Sequence, residues 1–354
     1  MTMKTNINGY KAATEESIAP HLYSINNQWT MPGEWIKQKA VQLTWPHANS
    51  DWRDMLDEVT ETFVCLATEI SKRQQLIVVT PDKSLVPNLK NTTIVQCQTN
   101  DTWARDHAFV SLTKGDEIKL IDFKFNGWGE KFEASLDNDI NRQLIEKGVI
   151  NGIYCNQLDF VLEGGSIESD NNGTLFTTTN CLMAPHRNQP MTQQQIEQRL
   201  KTTLGMDRVV WIDHGMLVGD DTDGHIDTLV RTAPDNTLVY MGCDNKTDEQ
   251  YDELMKMEQQ LKTVTNKNGQ PYRLLRLPSP HPIYCNGERL PATYANYLPI
   301  NGAVLYPTYA QDDNDNEAAK VIAMAYPDRE IIGVDCRSLI KQHGSLHCCT
   351  MQYF

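Results

Sequence analysis

The chain has 354 residues, 40% of them hydrophobic, and a formal net charge of −14. That length holds two average domains or one large one, and the even spread of apolar residues supports a sizeable core without staples. The acidic balance argues against a nucleic-acid partner, which needs a basic surface, and is compatible with a small cationic ligand.

Nine cysteines at irregular spacing fit reduced thiols in a cytoplasm better than a disulfide framework. Residues 1–20 lack an apolar leader core and no apolar run reaches membrane-spanning length, so no membrane partner is expected. Residues 1–30 are polar and weakly patterned and read as an N-terminal arm of unknown order. Gly, Pro and Ser never cluster into a linker, so 31–354 reads as one domain.

The first strand is Ala40-Val41-Gln42-Leu43-Thr44-Trp45. Asn49 and Ser50 offer an N-cap to a helix whose apolar stripe is Trp52, Met55, Leu56, Val59, Phe63, Leu66 and Ile70. The strand Leu76-Ile77-Val78-Val79 follows directly. Helix then strand recurs at 136–147 and 153–162, 192–203 and 209–212, 248–264 and 273–277, and 316–324 and 331–334. Extra strands are expected near 118–125, 174–178, 237–241 and 303–306.

A doubly wound parallel sheet does not ordinarily need so many extra strands, and no Gly-x-Gly-x-x-Gly follows the first strand. Five short mixed units at intervals of roughly 55–75 residues suggest a closed ring whose loops point to one hub.

Four segments carry polar groups inside otherwise strand-like sequence. They are Asn100-Asp101-Thr102-Trp103-Ala104-Arg105-Asp106, Leu162-Glu163-Gly164-Gly165-Ser166, Asp223-Gly224-His225-Ile226-Asp227 and Gly344-Ser345-Leu346-His347-Cys348-Cys349-Thr350. A cysteine so near the end acts as a nucleophile only if the earlier segments return to it in space. If His225 and Asp227 lie on a strand, both face one side. His347, next to Cys348, would face away from it on the same logic. Metal readings are weak: His-x-Asp has no further His or Cys at ligand spacing, and Asp220-Asp221-Thr222-Asp223 fails the EF-hand pattern.

In this order, Asp, Glu, His-x-Asp and Cys resemble the guanidine-modifying enzyme superfamily and, within it, the agmatine deiminases of the bacterial-type peptidylarginine deiminase family. The resemblance runs from Met31-Pro32-Gly33-Glu34-Trp35 to the C-terminus. It implies an α/β fold, a five-bladed propeller of ββαβ units around a central active site. It implies Cys348 as nucleophile, His225 as proton carrier, Glu163 as the acidic partner of that histidine, and Asp106 and Asp227 as the guanidinium clamp. Trp103 would line the substrate channel, and Asp221 and Asp223 would face the distal ammonium. Departures are Ser345, Cys349 and the pair Gln342-His343, which stand where the family usually has other residues.

The chemistry agrees with the resemblance. Guanidinium is planar, charged and forked, and carboxylates match that fork with paired hydrogen bonds. Cleaving it requires a nucleophile for the central carbon and a proton for departing ammonia. The expected reaction converts agmatine to N-carbamoylputrescine and ammonia through an S-alkylthiouronium on cysteine, with no metal or organic cofactor. A protein-arginine deiminase and a non-catalytic guanidine- or polyamine-binding protein remain as alternatives. A homo-oligomer is admitted without being indicated.

Overall fold

Each helix-and-strand repeat folds into the same small unit, in which a short antiparallel strand pair is followed by a helix and a strand parallel to the second. The computed structural model describes residues 28–354, so the expected N-terminal arm lies, through residue 27, outside the described residues.

In the first unit Ala40–Thr44 (β1) leads through Leu56–Ser71 (α1) to Gln75–Thr80 (β2), parallel to β1, and Thr92–Gln96 (β3) adds beyond it. The second comprises Val110–Lys114 (β4), Glu117–Lys124 (β5), Ile140–Glu146 (α2) and Ile153–Val161 (β6). Ile167–Ser169 (β7), Thr174–Thr178 (β8), Gln193–Leu204 (α3) and Arg208–Ile212 (β9) form the third. The fourth has Val230–Ala233 (β10), Thr237–Met241 (β11), Tyr251–Leu261 (α4) and Arg273–Leu277 (β12). A small hairpin, Tyr284–Cys285 (β13) with Glu288–Arg289 (β14), precedes the fifth. That unit is Leu298–Ile300 (β15), Ala303–Thr308 (β16), Asp312–Ala325 (α5) and Glu330–Asp335 (β17). Thr350–Tyr353 (β18) then returns to pair antiparallel with β1. The first unit thus takes its outer strand from the end of the chain, which carries the segment before β18 back among the others.

Apolar spacing decides which helix face is buried. On α1 Val59, Phe63, Leu66 and Ile70 are fully covered, at about 1.5–3 kcal/mol per large side chain. On α3 the stripe is Ile196, Leu200 and Leu204, and a reciprocal capping box between Thr192 and Gln195 starts the helix. Gly205 ends it at φ +67°, where a Cβ would lie 1.8 Å from the Trp29 carbonyl oxygen. Strands β8 and β11 are buried along their whole length, as expected of strands paired on both edges and covered on their faces.

Asn49 and Ser50 do not cap α1. The Ser50 hydroxyl donates to the His47 carbonyl instead, and a 3₁₀ turn at Arg53–Met55 precedes the helix. Among the described residues no helix is long and apolar enough to cross a membrane.

Candidate active site

Five connections join one unit to the next, and each places polar groups in one buried cluster. The first, between β3 and β4, holds the helical turn Ala104–His107 with Asp106. The second carries Glu163, Gly164 and Gly165; the third carries His225 and Asp227; the fourth carries Asn296; the fifth carries His347 and Cys348.

Gly165 sits where three of these side chains converge. A Cβ there would lie 2.6 Å from His225 Nδ1, 2.9 Å from Asp106 Oδ1 and 3.1 Å from Asp227 Oδ2. At Gly164 it would lie 2.2 Å from the Arg105 carbonyl oxygen. Close approach of backbone to functional groups therefore explains the glycine pair.

Asp106 is fixed on both oxygens. Oδ1 accepts the Gly165 N–H at 2.9 Å, and Oδ2 accepts the Trp128 indole N–H at 3.0 Å. Trp128 reaches it from a backbone with φ 56°, a strained conformation for an aromatic residue. Arg105 points elsewhere and pairs with Glu34 at 2.9 Å.

His225 and Asp227 do not lie on a strand. A tight 3₁₀ turn over Ile226–Thr228 brings both into the cluster, because the Asp-Thr-Asp-Gly segment before them folds as a loop, with Gly224 at φ +91°. His225 Nδ1 is 3.7 Å from Asp106 Oδ1, too long for a hydrogen bond but close enough for attraction. Among the described residues neither ring nitrogen of His225, nor Asp227 Oδ1, nor Glu163 Oε2 has a hydrogen-bond partner.

Cys348 Sγ lies 3.4 Å from Asn296 Oδ1 and 3.9 Å from Asp227 Oδ2. It forms part of the wall of a cavity of about 230 Å³ shared with Trp103, Asp106, Trp128 and Phe132. Asp51, Asp101, Asp221, Gln342, His343 and Gly344 also line that cavity, while His225, Asp227 and Glu163 lie outside its lining. Trp103 packs on Trp52 and is covered by Gly344, whose Cβ would come within 2.2 Å of the indole. Cys349 is fully buried away from the cavity.

Two acidic residues are already engaged. Glu163 Oε1 accepts from Arg187 Nε at 2.9 Å, and atoms of Glu163, Cys181 and His225 lie within 4.8 Å of one another. The spacing of the chain gave no hint of Cys181 beside His225. Asp223 does not line the cavity: its Oδ2 takes Arg187 at 2.5 Å and Lys131 at 2.9 Å, so it braces the loop. Asp221 alone of the expected pair faces the cavity.

Electrostatics set the resting state. Burial pushes the Cys348 thiol well above its usual range, and Asp227 and Asp106 push it further. Burial also lifts Asp106 to about 6, although His225 pulls the other way. For His225 burial opposes the charged ring, but the carboxylates of Asp106 and Asp227 hold the imidazole well above its ordinary value. Asp227 is depressed despite burial, chiefly by the hydrogen bond and charge of His347. The cluster at rest is thus a protonated thiol beside an imidazolium and an ionised Asp227.

A family model described as Porphyromonas-type peptidyl-arginine deiminase matches residues 30–353. A Vibrio parahaemolyticus protein, provisionally described as an agmatine deiminase, is 32% identical over 345 residues, covering 91% of this chain and 95% of that protein. A solved structure from Porphyromonas gingivalis, provisionally described as an arginine deiminase, shares 49% identity at a TM-score of 0.88 and covers 92% of this chain and 98% of that one. The agmatine deiminase of C. jejuni, solved with substrate bound, shares 38% identity at a TM-score of 0.86, over 92% of this chain and 96% of that one.

Proposed function

The chain belongs to the Porphyromonas-type peptidyl-arginine deiminase family, and we propose that it hydrolyses the guanidinium of agmatine to N-carbamoylputrescine and ammonia through a covalent intermediate on Cys348. The observation that carries the choice of agmatine is the lining of the cavity. Asp51, Asp101, Asp106 and Asp221 contribute carboxylates to it, and among the described residues no lysine or arginine lines it. A substrate with a cation at each end fits such a lining, whereas the carboxylate of free arginine would meet like charge.

In the proposed cycle Asp106 and Asp227 accept hydrogen bonds from the guanidinium, and Trp103, Trp128 and Phe132 pack on its methylenes. Guanidinium charge offsets the two carboxylates that keep Cys348 protonated, so the thiol proton passes to solvent as the substrate enters, to be taken up there by the ammonia released later. The thiolate adds to the central carbon, giving a tetrahedral adduct. Imidazolium His225 then donates its proton to the departing amino group, the C–N bond breaks and ammonia leaves. An S-alkylthiouronium remains on sulfur. Neutral His225 takes a proton from water, hydroxide adds to the same carbon, and C–S cleavage releases the ureido product while its hydroxyl proton returns to sulfur. Glu163, held by Arg187, supports the charged form of His225. No step assigns a task to a metal or organic cofactor.

The same proposal includes the arrangement of the five units as blades of an α/β-propeller within one domain over 31–354. Delivery of site groups by all five connections supports it. A cytoplasmic location is proposed from nine free thiols.

The test is ammonia release from agmatine, free arginine and a peptidyl arginine with blocked ends. Agmatine should exceed arginine by at least about a hundredfold in kcat/KM, roughly 2.7 kcal/mol, with part of the margin lost in high salt. Preference for the blocked peptide would overturn the agmatine assignment and leave the deiminase chemistry standing. No ammonia from any of them, with agmatine still bound, would mark a binding protein.

Binding should also depend on pH with a definite sign. Burial raises both Asp106 and Asp101 to about 6. The guanidinium stays charged throughout, so agmatine favours the ionised carboxylates, and its affinity is lost as pH falls through that value. Calorimetry on Cys348→Ser, which takes the thiol proton out of the balance, should show a Kd that is flat above about pH 7 and weakens by up to about tenfold per carboxylate per pH unit below 6. Tighter binding in acid would contradict the clamp.

A further inference from the structure

His347 was expected to face away from Cys348, yet both side chains meet at the same oxygen of Asp227. His347 Nδ1 is 2.7 Å from Asp227 Oδ2, and the ring is almost wholly buried. A carboxylate only accepts, so Nδ1 carries the hydrogen whatever the state of Nε2. Nε2 lies 2.9 Å from both oxygens of Glu34 and 2.9 Å from Arg231 Nη2. The neutral ring accepts from Arg231 there, and the charged ring donates to Glu34. Glu34 is itself anchored by Arg105 at 2.9 Å, Arg231 at 2.6 Å and the Gln352 amide at 2.9 Å.

Asn296 adds a second hydrogen bond to the same Asp227 oxygen. Its amide nitrogen donates to Oδ2 at 3.2 Å, while its Oδ1 accepts the backbone N–H of His347 at 2.9 Å. Oδ2 is therefore doubly engaged, and Oδ1 is buried without a partner among the described residues.

We propose that His347 is a positioning residue for the deiminase reaction: with Glu34 and Arg231 holding its ring, it fixes Asp227 by Oδ2 so that Oδ1 alone accepts from the substrate guanidinium. This rests on the agmatine deiminase reading of the site. A residue that acts through Asp227 has a signature that a merely structural one lacks, because its effect disappears once Asp227 can no longer accept charge.

The experiment is a double-mutant cycle on the full chain. An asparagine amide can stand at the place of Nδ1, and a glutamine amide at that of Nε2. His347→Gln should lower kcat/KM for agmatine at least about tenfold, consistent with one charge-assisted hydrogen bond, and His347→Asn should recover part of it. In an Asp227→Asn background, His347→Gln should cost less than about threefold more. Equal losses in both backgrounds, or a glutamine variant as active as wild type, would overturn the proposal. If His347→Gln fails to fold, Glu34→Gln enters the same cycle with the same expected non-additivity. Should wild type release no ammonia, the reaction reading has failed, and the cycle is read on the Kd of agmatine, where additivity again overturns the positioning role.

Discussion

Cys348→Ser should reduce ammonia release from agmatine by at least about three orders of magnitude while agmatine still binds. A hydroxyl in this setting has no base close enough to ionise it: Asp227 is 3.9 Å from the sulfur, and His225 is held as a cation by the Asp106 and Asp227 carboxylates against burial. The clamp is untouched by the change, so calorimetry on the serine variant should show agmatine binding within a few-fold of wild type. Cys349→Ser provides the control. That thiol is fully buried outside the cavity, and its variant should keep most of the activity once folded. An exchange of the two results would shift the nucleophile by one residue and undo the geometry built around Asn296.

Asp106→Asn and Asp227→Asn should each cost at least ~2 kcal/mol of transition-state stabilisation, about thirtyfold or more in kcat/KM, because a charged acceptor becomes a neutral amide. The two losses should differ in kind. In the proposed cycle Asp106 carries both a guanidinium contact and the charge that keeps His225 protonated, so its variant should lose kcat as well as affinity. Asp227 receives both His347 and Asn296 on Oδ2, so its variant keeps its one oxygen there and turns the amide NH2 from the Oδ1 place toward the cationic guanidinium. Wild-type kinetics in both variants would rule out the clamp. Steady-state rates together with thermal denaturation separate this loss from a loss of folding.

Much of this arrangement was legible in the sequence, for physical reasons. Stripes such as Val59, Phe63, Leu66 and Ile70 have no use except burial, and they marked the helices within a few residues. Ends were less legible: α4 begins at Tyr251 and not at 248, because Asp248 bonds the Gln250 N–H and is held by Arg289. The five carboxylate, imidazole and thiol groups stood out because charged side chains inside apolar strand-like sequence are costly unless they meet partners.

What stayed hidden had no such cost. Asn296 lies in Thr-Tyr-Ala-Asn-Tyr, a stretch with no periodicity, and an uncharged amide there draws no notice. The repeat itself held the signal, since five units require a fifth connection to the hub, and none of the four polar segments came from between 277 and 303. Arg187 sits in an irregular loop where an arginine ordinarily reads as solvated; only the fold shows it buried against Glu163. Asp223 misled for the converse reason. An acidic run reads as open to a ligand, while Lys131 and Arg187 come from distant segments to occupy it. His347 could not be placed from a neighbour rule, because residues 345–349 are irregular and regular strand geometry begins only at Thr350.

The most direct test of the central claim is rapid acid quench of the wild-type protein turning over agmatine, followed by intact-mass and peptide mass spectrometry. The account predicts an adduct equal to agmatine less ammonia, mapped to Cys348, formed before the ureido product and absent in Cys348→Ser. Full turnover with no adduct under conditions where hydrolysis of the intermediate is slowed, or an adduct on any other cysteine, would contradict it.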